Sequence, residues 1–378
     1  MKKILFVTND FGPRAGGIES FIIGLIQHST LSPITVYTSS QGDTHEYDAS
    51  WQADYGVNVI RDRAKILLPT PRVNHSISRV IKESETDVVA FGAAAPLALM
   101  SAAFRRAGVK RVIALTHGHE VWWSKVFPFN LIMRRIGSTT DALTYLGEFT
   151  RRAISHSLTS RAASTMVKIA PGIDTEHFSP IDSTQLKASL GLSEKRIIVS
   201  VGRLVHRKGQ DKLIESLPAI IQKIPNAHLL LVGEGPYRNH LTKLVQKHQL
   251  EDFVTFIGRI QFAQLPSYIC LGEIFAMPSR SRFAGLEVEG LGIVYLEASA
   301  CGLPVIAGAS GGAPDAVIDG VTGVVVDGLN CDAIANTAIQ MLENPIQSQK
   351  MGLAGRLWVI EHWSWQIWSG EFTKLLRD

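Results

Sequence analysis

Residues 276–307 read AMPSRSRFAGLEVEGLGIVYLEASACGLPVIA, and the meaning of this stretch decides how the rest of the chain is read. An apolar run ends at Pro278 and a polar loop bearing glycines follows. Residues 293–301 then have helical character, Gly302 suits a left-handed helix C-terminus, and 303–307 reads as the next buried strand. Two carboxylates stand out, Glu289 just before the helix and Glu297 inside it. Glu297 lies four residues after Ile293 and so shares a face with the first turn. The N–H groups of Gly290, Leu291 and Gly292 precede the helix proper and suit an anion, helped by the helix dipole. One carboxylate can then hold a neutral polar group and the other can stand near a reacting centre, with a phosphate between them. The ordinary alternative is a capping Glu289 and a solvated Glu297.

Working outward, 378 residues exceed one ordinary core and fit two domains. A hydrophobic content of 46% with 19% charged residues is that of a globular chain and excludes a disordered one. Cys270, Cys301 and Cys331 are widely spaced and form no CxxC, which suits a reducing compartment. The apolar run after Lys2-Lys3 is too short for a signal peptide, and residues 91–104 are too short, and broken by Pro96, for a membrane span. A cytoplasmic protein is expected. Residues 1–170 hold 20 Lys/Arg and 13 Asp/Glu, a balance of +7, whereas the remainder holds 18 and 21, a balance of −3. That asymmetry suits a polyanionic or anionic-lipid partner for the first half.

In chain order, 3–8 (KILFVT) is a strand followed by a Gly16-Gly17 loop and a helix, a geometry that lets backbone N–H groups approach a ligand. It is not GxGxxG, so NAD is poorly supported. Strands at 34–38, 57–61, 87–91, 111–115 and 142–146 alternate with helical stretches, which predicts a parallel α/β sheet. His117 and His119 follow the strand RVIALT, at the end where such sheets bind ligands. No third residue at metal spacing accompanies them, so no metal is expected. Residues 121–136 interleave Trp122, Trp123, Phe127, Phe129 and Met133 with Lys125, Arg134 and Arg135. This mixture suits a bilayer interface or, as readily, a packed helix with a basic flank. Residues 168–180 carry two prolines and a glycine and read as the crossing between domains. The second half begins with a strand at 196–201 and a basic loop in which Arg203 and Lys208 flank a helix start, a possible phosphate clamp. Further strands end at Gly233 and at Gly258-Arg259-Ile260.

Glu289, seven residues, Glu297 and the following ASACGLPVIA resemble the signature of retaining glycosyltransferases of family 4. The resemblance implies an α/β GT-B fold, two Rossmann-like domains with parallel sheets facing a central cleft. It covers nearly the whole chain, including Gly16-Gly17, the complete G-R-x4-K-G of residues 202–209, and a GG-x-P-D loop at 311–315. What the resemblance implies is a nucleotide-diphospho-sugar donor, with Arg203 and Lys208 on the diphosphate and Gly16 and Gly17 facing phosphate and sugar. It further implies Gly233, Arg259 and Ile260 at base and ribose, Glu297 on the ribose, and Glu289 on the sugar hydroxyls. Gly290, Leu291, Gly292 and Ile293 would meet the phosphates, and His117 (or His119) would lie near the sugar. The expected domains are 1–169 and 170–362, with a terminal helix at 363–378 returning to the first.

Overall the sequence is similar to bacterial α-mannosyltransferases that use GDP-mannose and phosphatidylinositol mannosides. That similarity implies a lipid-linked acceptor at an anionic membrane surface, peripheral attachment to its inner face, and no metal or other cofactor. No nucleic-acid partner is expected. A nucleotide-sugar epimerase of the same architecture and a non-catalytic nucleotide-sugar-binding protein remain open at this stage.

Overall fold

Short runs buried on both faces make parallel strands, and in the computed structural model they assemble into two sheets. The structure describes residues 2–14, 16–31 and 33–378. The chain divides into two units, Met1–Gly172 with Trp365–Asp378, and Ile173–Ser364.

In the first unit the strands are β1 (Ile4–Thr8), β2 (Ile34–Thr38), β3 (Val57–Arg61), β4 (Val88–Phe91), β5 (Arg111–Ala114), β6 (Ala142–Tyr145) and β7 (Val167–Lys168). Their order is β3-β2-β1-β4-β5-β6-β7, all parallel, with Ile4 opposite Ile34 on one side and Val88 on the other. The order reverses between β1 and β4, which opens the crevice where such sheets take ligands. The two-residue β7 lies at the start of the stretch expected to be a linker. The terminal helix Trp365–Arg377 packs on the helix Gly17–Gln27. Trp368, Phe372 and Leu376 are buried there, and Phe372 meets Phe6 at 5.8 Å between ring centres. These aromatics fill the core of the first unit.

Residues 121–136 fold as two short helices, Glu120–Lys125 and Phe129–Thr139. Trp122 and Trp123 turn onto Phe129, at 4.5 and 5.0 Å, and Met133 and Ile136 are buried. The exposed apolar residues are instead Phe127 (75% exposed) and Leu131 (55%), beside exposed Lys125, Arg134 and Arg135. Among the described residues no helix is long and apolar enough to cross a membrane.

The second unit holds β8 (Arg196–Val201), β9 (Ala227–Val232), β10 (Val254–Gly258), β11 (Ile274–Met277), β12 (Val305–Gly308) and β13 (Gly323–Val326). The order is β10-β9-β8-β11-β12-β13, again parallel throughout, so the same strand arrangement occurs twice in the chain. Here the reversal falls between β8 and β11. The loops after those two strands therefore meet, and they carry Arg203 and Lys208 on one side and Glu289 on the other.

Candidate active site

After β8 the chain turns through Gly202 and a 3-10 segment, His206–Lys208, before the helix Gln210–Lys223. Gly209 joins the two at φ 77, and a Cβ there would lie 2.0 Å from the carbonyl oxygen of Pro278. Only glycine permits this close approach, which sets the cationic turn against the loop after β11. Across that contact Arg207 Nη1 lies 2.6 Å and Lys208 Nζ 2.9 Å from the same oxygen of Glu289. Arg207 also approaches Glu287 at 3.7 Å. Glu289 is only 7% exposed. Burial opposes its ionisation, but Lys208 and Arg207 outweigh that penalty and hold its carboxyl below the ordinary range. Glu289 is thus neither a helix cap nor solvated: Gly292 occupies the cap position, without a side-chain cap.

The helix Ile293–Ala300 starts from Gly292 at φ 78, where a Cβ would strike the Tyr295 ring at 2.4 Å. Tyr295 is buried and donates to the Met277 carbonyl at 2.7 Å, tying the helix start to the end of β11. The N–H groups of Gly290, Leu291 and Gly292 donate to no backbone carbonyl among the described residues, which leaves them available to an anion. One turn on, Glu297 is buried, and burial pushes its carboxyl up to about 7, with only partial relief from Lys208. Glu289 and Glu297 therefore differ in kind: the first is a paired carboxylate, the second a carboxyl poised to be neutral or charged near neutrality.

Gly233, Arg259 and Ile260 come together around a cavity of about 260 Å³, with Gly202, Gln261 and Phe262 also in its wall. Gly202 connects this cavity to the charged cluster, because its absent Cβ would lie 3.9 Å from Lys208 Cε. The sequence paired Arg203 with Lys208 as the clamp. In the structure Arg203 is exposed and makes no ion pair among the described residues, whereas its neighbour Arg207 shares Glu289 with Lys208. Arg207 carries no spacing signal of its own, being a second basic residue in a basic loop.

Gly16, Gly17 and His117 belong to the first unit. Gly16 precedes the helix Gly17–Gln27 in extended conformation, and a Cβ on Gly17 would meet nothing within 4 Å. His117 lies beyond β5. Its Nε2 contacts the Gly92 carbonyl at the end of β4, and its backbone N–H donates to Glu120 Oε2 at 2.8 Å. Burial lowers its pKa, so its ring is held neutral and oriented. His119 is exposed, with Nε2 3.2 Å from Glu120 Oε1. Glu120, fully buried between the two histidines, was not singled out by sequence because it reads as an ordinary first-turn acid.

In the second unit, two cations, a helix start with free N–H groups and an adjoining cavity converge at one switch point. That chemistry suits a nucleoside diphosphate, the cations and N–H groups meeting charge and the cavity taking a flat ring. Two such doubly wound parallel units in one chain constitute the GT-B architecture. Solved structures share it over the full chain: HepE of Anabaena, solved with UDP, covers 100% of both chains at a TM-score of 0.83 and 19% identity. Sucrose-phosphate synthase of Thermosynechococcus elongatus covers 100% of this chain and 98% of its own at a TM-score of 0.80 and 21% identity.

The chain belongs to the glycosyl transferases group 1 family, whose pattern matches residues 182–358. It is 41% identical over 376 residues, 99% of this chain and 98% of the relative, to the GDP-mannose-dependent alpha-(1-6)-phosphatidylinositol monomannoside mannosyltransferase of Mycolicibacterium smegmatis. A Corynebacterium glutamicum enzyme named for the monoacylated form of that acceptor is 42% identical over 383 residues, 100% of this chain and 98% of the relative.

Proposed function

We propose that this protein transfers mannose from GDP-mannose to a phosphatidylinositol monomannoside, with retention at the anomeric carbon. The observation that carries this reading is the 41–42% identity, end to end, with relatives named for that donor and acceptor. The match runs end to end, covering 99–100% of this chain and 98% of each relative.

In this reading Lys208, Arg207 and the N–H groups of residues 290–293 receive the diphosphate, with Arg203 reaching it from the solvent side. The base enters the cavity of Gly233, Arg259 and Ile260, Glu297 holds ribose hydroxyls, and Glu289 holds sugar hydroxyls. The family resemblance also assigns Gly16, Gly17 and His117 of the first unit to the donor. A nucleoside diphosphate leaves as an anion, so positive charge fixed at its oxygens stabilises the transition state more than the ground state. No residue of the set is placed as a nucleophile. Retention then follows from attack on the face the diphosphate leaves, through an oxocarbenium-like state.

The acceptor is a lipid, so the protein must visit a bilayer. Exposed Phe127 and Leu131 beside Lys125, Arg134 and Arg135 supply apolar anchors and cations for an anionic surface. Each such cation contributes about 1 kcal/mol near the surface, so a few suffice for reversible attachment. The test of the function is donor consumption with GDP-mannose against vesicles containing phosphatidylinositol monomannoside, phosphatidylinositol, or neither. Turnover that requires the monomannoside supports the reading. Sugar interconversion without acceptor would make the protein an epimerase, and donor binding without turnover would make it a binding protein.

A further inference from the structure

We infer that Arg280 is a positioning residue for the cationic turn, holding Arg207 where a diphosphate can meet it beside Lys208. The inference rests on the reading of that turn as the diphosphate clamp. Arg280 follows β11 and reaches the turn in three ways. Its backbone N–H donates to the Arg207 carbonyl at 2.8 Å. Its guanidinium meets the His206 ring, with Nη2 3.0 Å from Nε2 and Nε 3.3 Å from Nδ1. The same Nη2 pairs with Asp211 Oδ2 at 2.7 Å, and Tyr237 donates to that oxygen at 3.2 Å. His206 immediately precedes Arg207, and Asp211 lies in the first turn of the helix that follows Gly209. One side chain therefore grips the residues on both sides of the clamp, while its own main chain grips the middle.

The pair is not an economical source of stability. The Arg280 and Asp211 side chains are 4% and 8% exposed. Arg280 Nη1 and Asp211 Oδ1 are buried with no hydrogen-bond partner among the described residues, so their desolvation is incompletely offset. A buried ion pair of this kind is weak evidence for stability, so its role is read from the turn residues that it contacts. Without it the turn keeps its own backbone bonds, the Arg280 backbone bond, the close approach at Gly209 and the pairs with Glu289, but loses the guanidinium that ties His206 to Asp211 across Arg207.

The test separates positioning from mere support of the fold. The variant Arg280→Met/Asp211→Leu replaces the ion pair by apolar groups of similar volume, a change that commonly leaves stability unharmed. GDP binding is measured by titration calorimetry in this variant, in Arg207→Ala, and in the triple combination, with thermal unfolding of each as the control. Acting through Arg207, the Met/Leu change weakens GDP binding by about tenfold in the parent but by less than about twofold once Arg207 is gone. An equal loss in both backgrounds overturns the inference, because the effect would then be independent of the clamp. No loss in the parent overturns it as well. If Arg207→Ala itself leaves GDP affinity unchanged, the clamp reading fails first, and that outcome is distinct from the other two.

Discussion

Replacing Glu297 by Gln is expected to make the protein more stable and its donor binding weaker. Glu297 is buried, and burial raises its carboxyl from the ordinary 4.5 to about 7. In the unfolded chain the group ionises near its ordinary value, while in the fold it keeps its proton until about 7. The folded state is therefore progressively penalised as pH rises from about 4.5 to 7, and fully penalised above that. The full penalty is roughly 3 kcal/mol, taking 1.36 kcal/mol for each tenfold change. Gln is neutral at every pH and nearly the same shape, so it escapes the penalty. Unfolding midpoints of the variant and the parent should lie closer at pH 5 and separate further by pH 8.5, with the variant higher. Calorimetric GDP titration on the same samples should show weaker binding, by about 1.5–3 kcal/mol for a lost charge-assisted hydrogen bond. A stability difference that does not change with pH would refute the claim that Glu297 is a desolvated carboxyl. Unchanged GDP affinity would remove it from the site.

Glu289 behaves in the opposite sense, because its pKa is lowered: its stabilising pairs with Arg207 and Lys208 are present above the ordinary 4.5 and are lost as pH falls. Glu289→Ala, which strands two cations, should destabilise the second unit by roughly 3 kcal/mol at pH 7, read by chemical unfolding. Arg207→Ala and Lys208→Ala should each lower kcat more than they raise the donor KM, since leaving-group charge peaks in the transition state. An effect confined to KM would reduce them to ground-state anchors. Activity should survive EDTA, because fixed cations take the place of a metal at the diphosphate; loss restored by a divalent ion would contradict this. Changing Phe127, Leu131, Arg134 and Arg135 together to Ser should reduce sedimentation with anionic vesicles and leave soluble GDP binding intact. Equal sedimentation with neutral and anionic lipid would show that this face does not dock.

The sheets were legible because parallel strands buried on both faces read as short apolar runs. The strands at Ile34–Thr38, Val57–Arg61 and Arg196–Val201 begin and end where the pattern does. β13 was not, since GVVV follows a loop rich in glycine and has no distinct start signal. Within the site, the Glu289 and Glu297 spacing announced two carboxylates but not their opposite electrostatics. Those depend on Arg207 and Lys208, more than eighty residues away in sequence, which burial and strand order bring to one of them. The same limit hid Arg280, whose meaning lies in a contact with His206 and Asp211 across the junction of β8 and β11. Likewise, aromatic content alone left Trp122 and Trp123 open between a bilayer interface and a packed helix. Only the fold shows them turned onto Phe129, with Phe127 and Leu131 left at the surface.

The most direct test of the central claim is the product formed from GDP-mannose and vesicle-borne phosphatidylinositol monomannoside by the purified protein. The account predicts a single dimannosylated lipid, with the new mannose α-linked as in the donor when read by the anomeric NMR coupling. A β-linked product, free mannose released at the same rate with and without lipid, or transfer from another nucleotide sugar in preference to GDP-mannose would contradict it.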